Sequence, residues 1–412
     1  MLIAAPRVVP GTGEPGLLEP GYVLVTGGRV AEVHAGSPPR SPDLALGSGY
    51  IVPGLIDLQV NGYFGADLAE PDPAGWGRVV RRLPETGTTA FLPTLITAPV
   101  AQLCGSLRFA AGFAADPPVG ARVLGVHLEG PFLAAGRAGA HRRDQIVPPS
   151  PEAVAGLLAA GAGALRVVTL APEVDGGLAA VATLASAGIV VSIGHSDATA
   201  RQVAAAADAG ARMVTHLFNA QRPLHHREPG VVGQALADPR LTCGLIADLT
   251  HVAATVCAIA FAAAPGRIFL VTDACAAAGM PPGRYRIGGE PVEVRPGGGP
   301  APRLADGTLA GSVLRMDQAV ANMVAAGAGL PEAVAAATRI PADLIGRPDL
   351  GRLAPGAAAD LAWLGDDLRT RATWVAGDRV YPLPIARGAP CAARPGPAGG
   401  QPADPRSRGR AG

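Results

Sequence analysis

The chain contains no lysine: all 34 of its basic side chains are arginine. That excludes Schiff-base chemistry, a P-loop lysine and a carboxylated lysine bridging two metal ions. Cysteine is scarce too, and the five present (Cys104, Cys243, Cys257, Cys275 and Cys391) are scattered, odd in number and never spaced as CxxC. Neither a disulfide framework nor a zinc knuckle follows from such spacing, and buried unreactive thiols are expected. Charge is sparse at 16% and nearly balanced at a net +1. Without an electrostatic footprint, nucleic acid and anionic membranes are not expected partners, so any phosphate recognised belongs to a small molecule. No apolar run approaches the roughly 18 residues needed to span a bilayer, and the N-terminal stretch lacks the basic region of a signal peptide, so a cytoplasmic location is expected.

What is present is apolar surface in quantity. Hydrophobic residues make up 49% of 412, enough for a large buried core. Residues 1–50 read as short strands (22–26 and 29–33) about the Gly27-Gly28 turn, part of a small β unit. From residue 51 the rhythm changes to alternation of strand and helix. Strands are expected at 55–60, 88–94, 122–128, 165–170, 190–193, 213–215, 245–246 and 269–272. The helical segments fall at 76–83, 101–111, 152–158, 178–185, 198–209, 252–263, 316–325 and 332–338. Eight such units predict an α/β fold, a (β/α)8 TIM barrel over 51–345 with a β-hairpin insert at about 281–304. Residues 346–385 return to short strands and should join residues 1–50 in a small flanking β-sandwich domain built from both chain ends. Residues 386–412, rich in Gly, Pro and Arg, have little to bury and are expected to be disordered.

The polar residues that close apolar strands carry the chemistry. Glu129 ends GVHLE, His195 ends VVSIGH, His216 ends MVTH and Asp273 ends FLVTD, at strands three, five, six and eight. In a barrel those ends converge on one mouth. Three imidazole or carboxylate ligands leave a catalytic divalent metal an open position for water, lowering the water pKa from about 15.7 to about 7. A fourth, unligated carboxylate can take and return the proton. His127, two residues before Glu129, reads as a core or supporting residue, and His34 as a surface one.

The segments PGLIDLQVNGYFG, GVHLEGPFL, GAHRRD, GHSDAT, THLFNAQRPLHHREPG, LIADLTHV, LVTDACAAAG and GTLAGS occur in this order from Pro53 to Ser312. In this set and order the chain resembles the N-acetylglucosamine-6-phosphate deacetylase family of the amidohydrolase superfamily. The resemblance implies an enzyme that hydrolyses the acetamide of N-acetyl-D-glucosamine 6-phosphate, giving glucosamine 6-phosphate and acetate in amino-sugar metabolism. It implies Glu129, His195 and His216 as metal ligands, Asp273 as general base and acid, and His141 as the group that polarises the acetyl carbonyl. Ala140, His141, Asn219, Ala220, Arg227, Asp248, Leu249, Thr250, His251, Leu309, Ala310 and Gly311 match substrate-binding positions, with Arg227 and His251 the phosphate contacts. A guanidinium fork suits a phosphate, which agrees with Arg227 in a chain that has no lysine. His225 and His226 stay open between loop packing and substrate contact.

Where most amidohydrolases carry His-X-His after the first strand, this chain has Gln59-Val60-Asn61. Neutral amides are poor ligands beside imidazole and carboxylate. One divalent ion per subunit, Zn2+ or Fe2+, is therefore expected, and the resemblance also suggests a homodimer. Two other readings remain in view: an amidohydrolase acting on a different substrate, such as N-acetylgalactosamine 6-phosphate or a cyclic amide, and a non-catalytic amidohydrolase-like scaffold.

Overall fold

The computed structural model describes residues 1–14, 16–295 and 301–382. Eight parallel strands build the central sheet: Leu55–Val60, Thr88–Ile96, the pair Arg122–Val123 and Val126–Glu129, Leu165–Leu170, Val190–Ile193, Met213–Val214, Thr242–Leu245 and Ile268–Leu270. Each pairs with the next in sequence order. The sheet closes where Val60 bridges Ala274 and the Asp273 N–H donates to the Gln59 carbonyl. The fold is a (β/α)8 barrel, as the strand and helix rhythm predicts.

Three strands and one helix differ from expectation for identifiable reasons. The third strand breaks at Gly125, whose φ of 132° no other residue adopts easily and whose added Cβ would meet the Ala164 carbonyl oxygen at 2.4 Å. The seventh and eighth strands begin three and one residues earlier than 245–246 and 269–272 and end one and two residues earlier, since the apolar runs continue past the last paired residue. A helix at Gly230–Ala237 went unread: GVVGQALA holds two glycines and has no side-chain cap, so it lacks both propensity and a start signal. Its stability comes from burying Val231, Val232, Ala235 and Leu236, each large side chain contributing about 1.5–3 kcal/mol. Better-signalled helices carry caps, as at Ala200–Asp208, where Thr199 and Gln202 form a reciprocal capping box.

Beside the barrel lie two four-stranded sheets. One holds Leu2–Ala5, Gly21–Thr26, Arg29–Ala35 and Leu44–Ala45; the other joins Tyr50–Pro53 to Leu361–Leu364, Thr370–Val375 and Asp378–Tyr381. Ile3, Val23, Ile51, Leu361 and Trp374 share one apolar cluster between them, so both chain ends contribute to the sandwich. Arg122 on the barrel is held bidentately by Asp360 at 2.9 and 3.1 Å. The strands Gly283–Ile287 and Glu290–Val294 form an antiparallel hairpin after the eighth barrel strand, and Ile287 packs with Ile96, Cys275 and Ala310 over the mouth. The expected disordered tail and Cys391 lie outside the described residues; the other four cysteines are buried thiols.

The barrel seam contains a buried charge site. Asp57 on the first strand accepts hydrogen bonds from the Thr272 hydroxyl (2.5 Å), the Thr272 N–H and the Gln59 N–H. Burial pushes its carboxyl up to about 7 from 3.8. Since the folded value exceeds the unfolded one, the folded chain binds the proton more tightly. The stability this contributes is complete below the unfolded value and is lost as pH rises toward 7, an effect on the order of 4 kcal/mol. Asp57→Asn should flatten that dependence. Urea midpoints at about pH 5 and about pH 8 should then differ less in the variant than in the parent; an equal difference in both would remove Asp57 as the cause.

Candidate active site

The four strand-end residues converge. Glu129, His195, His216 and Asp273 line one cavity of about 330 Å³ at the carboxyl-terminal mouth of the barrel, together with Ile96, His141, His251 and Ile287. All four are buried. His195, His216 and Asp273 have φ of 48°, 24° and 50°, in the left-handed region that costs a non-glycine residue about 1 kcal/mol or more. The chain turns sharply as each strand ends, and the turn aims the side chain inward. Small neighbours make room: a Cβ on Gly194 would lie 2.7 Å from Thr169 Cγ2, and one on Gly139 would lie 3.3 Å from the His195 ring.

The spacing of the polar atoms suits a metal. Glu129 Oε1 lies 3.2 Å from His195 Nε2 and 2.9 Å from His216 Nε2, and the two Nε2 atoms are 3.1 Å apart. Tetrahedral ligands at about 2.0–2.1 Å from zinc stand about 3.4 Å from one another, so the cluster is close to that size. The hydrogen-bond network assigns the tautomer of His195: Nδ1–H donates to the Arg137 carbonyl at 2.8 Å, which turns the Nε2 lone pair toward Glu129 and His216. Lone pairs facing a carboxylate in this way are satisfied by a divalent cation, so the residues present fit one. His216 Nδ1 has no hydrogen-bond partner among the described residues.

Glu129, His141 and His195 also offer ligand atoms within 4.8 Å of one another. The two overlapping triads are separated by the state of His141. His141 Nδ1 accepts the Thr97 backbone N–H at 3.2 Å and lies 2.8 Å from the Thr97 hydroxyl, which can donate to it as well; with Nδ1 accepting, the single proton of the neutral ring sits on Nε2, 3.9 Å from Glu129 Oε2. Burial, then the neighbouring His195 imidazole, holds the ring neutral, its pKa pushed down to about 3. A protonated Nε2 cannot ligate a metal but can donate to a developing oxyanion. Burial works to raise the Glu129 carboxyl, yet the His195 and His216 imidazoles packed against it hold it well below the usual range.

Asp273 is fixed by residues that strand-end reasoning treated only as missing ligands. Asn61 Nδ2 donates to Asp273 Oδ1 at 2.6 Å, and Gln59 Nε2 bridges Asp273 Oδ1 and Glu129 Oε1 at 3.1 Å each. The amides thus occupy one oxygen of the carboxylate and separate it from Glu129. Burial, then the Glu129 charge, pushes Asp273 up to about 6.

The substrate-binding set divides. Ala140, His141, Asn219, Ala220, His251, Leu309 and Gly311 line the cavity; Asp248, Leu249, Thr250, Ala310 and Arg227 do not. Asp248 acts through its neighbour, its Oδ2 2.7 Å from His251 Nδ1 and its Oδ1 accepting from the Thr250 and His251 N–H groups. Ala310 is buried and Leu249 exposed. Arg227 stands on an exposed loop with Nη1 2.8 Å from His226 Nε2, so within its own chain it is no cavity contact. His225 and His226 are exposed with it, their rings 4.2 Å apart, which is loop packing. His127 lies in a buried network, bonded to the Leu58 carbonyl and, through Thr169 and Thr215, to Ser192. Sequence reasoning missed Arg137, the one arginine lining the cavity among the described residues, because GRAG carries no strand-end signal.

Comparison with known proteins agrees with this geometry. Residues 50–380 match the amidohydrolase family model. The N-acetylglucosamine-6-phosphate deacetylase of Bos taurus is 38% identical over 82% of this chain and 85% of its own. The N-acetylgalactosamine-6-phosphate deacetylase of Escherichia coli O157:H7 is 38% identical over 79% of this chain and 86% of its own. The structure of a mutant of the N-acetyl-D-glucosamine-6-phosphate deacetylase of Mycobacterium smegmatis, in complex with N-acetyl-D-glucosamine-6-phosphate, superposes with a TM-score of 0.87 at 38% identity, covering 92% of this chain and 99% of that one. With its barrel, its mouth of converging polar residues and these relatives, this chain belongs to the amidohydrolase family.

Proposed function

We propose that the protein hydrolyses the acetamide of N-acetyl-D-glucosamine 6-phosphate to glucosamine 6-phosphate and acetate. The observation that carries the reading is a buried carboxylate, Asp273, fixed through one oxygen beside a cluster of metal-ligand atoms, in a chain 38% identical to an N-acetylglucosamine-6-phosphate deacetylase. Glu129, His195 and His216 would hold the ion, zinc or ferrous iron, which supplies a lowered water pKa and polarisation of the carbonyl when bound. Asp273 takes the proton of the attacking water and returns it to the nitrogen, since an amine leaves poorly as its anion. His141 Nε2–H donates to the carbonyl oxygen as charge gathers on it. His251, oriented by Asp248, contacts the distal end of the substrate.

The galacto epimer is the second reading, because one relative of the same 38% identity is an N-acetylgalactosamine-6-phosphate deacetylase. Acetate release from both epimeric phosphates decides between them. A higher kcat/KM for the gluco compound supports the proposal, and the reverse order overturns it in favour of the other sugar.

The exposed position of Arg227 supports a homodimer in which this loop serves the cavity of a second copy. Removing a charge-assisted phosphate contact costs about 1.5–3 kcal/mol, so Arg227→Ala should lower the preference for phosphorylated over unphosphorylated sugar about tenfold or more. Sedimentation should find a dimer. A catalytically competent monomer with undiminished preference for the phosphate would rule out the shared site.

A further inference from the structure

Arg137 lies in the short helical turn Ala135–Arg137, which follows the third barrel strand, and it lines the same cavity as Asp273. Its carbonyl accepts the Nδ1–H of His195, so the backbone of this residue is fixed against the reacting centre. Its guanidinium donates from Nε at 2.9 Å and from Nη2 at 2.6 Å to one oxygen of Asp197. The other oxygen of Asp197 receives Arg222 Nη2 at 2.9 Å. Each oxygen of Asp197 therefore holds one guanidinium, and Arg222 is paired further with Glu228 at 3.6 Å, while Arg137 has no carboxylate partner but Asp197 among the described residues.

A guanidinium presents five N–H donors in a planar fork, and these bonds use only one edge of it. The side chain is 31% exposed, and Nη1 makes no hydrogen bond to the described residues. The chain has no lysine, and Arg227 stands outside the cavity of its own chain. We infer that Arg137 is the guanidinium with which each chain reads the substrate's phosphate in its own cavity, a role that rests on the deacetylase reading above. Asp197 is the positioning residue: by holding the Nε edge it pre-orders the fork and reduces the ordering cost of binding. An unphosphorylated sugar leaves the free edge to water, so the contact acts on discrimination rather than on the reacting carbonyl.

The test compares kcat/KM for N-acetylglucosamine with and without the 6-phosphate in Arg137→Ala and Arg137→Lys. The expected result is a fall of about 10- to 100-fold in the ratio for R137A, with part of it restored in R137K, which keeps a point charge but not the fork. Calorimetry of glucosamine 6-phosphate and glucosamine on the metal-loaded protein should show the same loss for the phosphorylated compound. A merely structural Arg137–Asp197 pair would lower both substrates alike; an unaltered ratio in R137A, with the calorimetric preference also kept, overturns the inference. A parent enzyme that hydrolyses N-acetylhexosamines without regard to phosphate sinks the substrate reading itself, and is told apart because it fails before any variant is made.

Discussion

Asp273→Asn should lower turnover by at least about a hundredfold, the usual loss when acid–base catalysis is removed, while the bound metal stays at its parental content. Asn retains the oxygen that accepts from Gln59 Nε2 and Asn61 Nδ2, so the substitution removes the proton acceptor without dismantling the cage around it. Acid dependence follows from the same group. The base must be ionised in the free enzyme, and its carboxyl stands at about 6 through burial and the Glu129 charge; a divalent ion beside it draws it lower. Activity is therefore expected to be full above about pH 6 and to fall as pH drops through the carboxyl's value, with the acid limb absent from D273N. Near-normal turnover in D273N at full metal occupancy would assign the proton transfer to another residue.

How much of this was legible in the sequence depends on the range of the interaction concerned. An apolar run closed by Glu, His or Asp is a local pattern, and Glu129, His195, His216 and Asp273 each sit at the end of one. A barrel turns four such local patterns into one site by topology alone. The bonds of Asn61 and Gln59 to Asp273 span 212 and 214 residues, and no local pattern reports them. Read as sequence, Gln59-Val60-Asn61 is a motif that has lost its histidines; in the fold, the same amides hold the Asp273 carboxylate. Arg227 shows the other side of the same point: its residue type suits a phosphate, but a single chain's sequence does not report whose cavity an exposed loop serves. Arg137 has no local signal because its orientation depends on Asp197, sixty residues away in the loop after the fifth barrel strand.

Stripping the divalent ion should take deacetylation to background, and titrating it back should restore turnover at one ion per chain. Three ligand atoms within 3.2 Å of one another, Glu129 Oε1, His195 Nε2 and His216 Nε2, define one ion's worth of space. A second ion would need donors on the first strand, and there the amide nitrogens of Gln59 and Asn61 already face the two carboxylates. Turning an amide to offer its oxygen would set it against Glu129 and Asp273 and forfeit their hydrogen bonds. Protons compete for the same cluster. Burial works to lower the His216 pKa, but the hydrogen bond and charge of Glu129 outweigh it and hold it above 6.5, so the metal-free site retains a proton that binding must expel. Metal affinity should therefore fall as pH falls, and binding should release protons measurable as a buffer-dependent heat. The ion also stabilises the fold by linkage, about 2.7 kcal/mol at a free concentration a hundred times its Kd. Glu129→Ala removes the oxygen shared by both histidines and should abolish binding, activity and the thermal shift together. Two tightly held ions per active chain, measured after loosely bound metal is removed, would defeat the single-ion site and return Gln59 and Asn61 to the role of ligands.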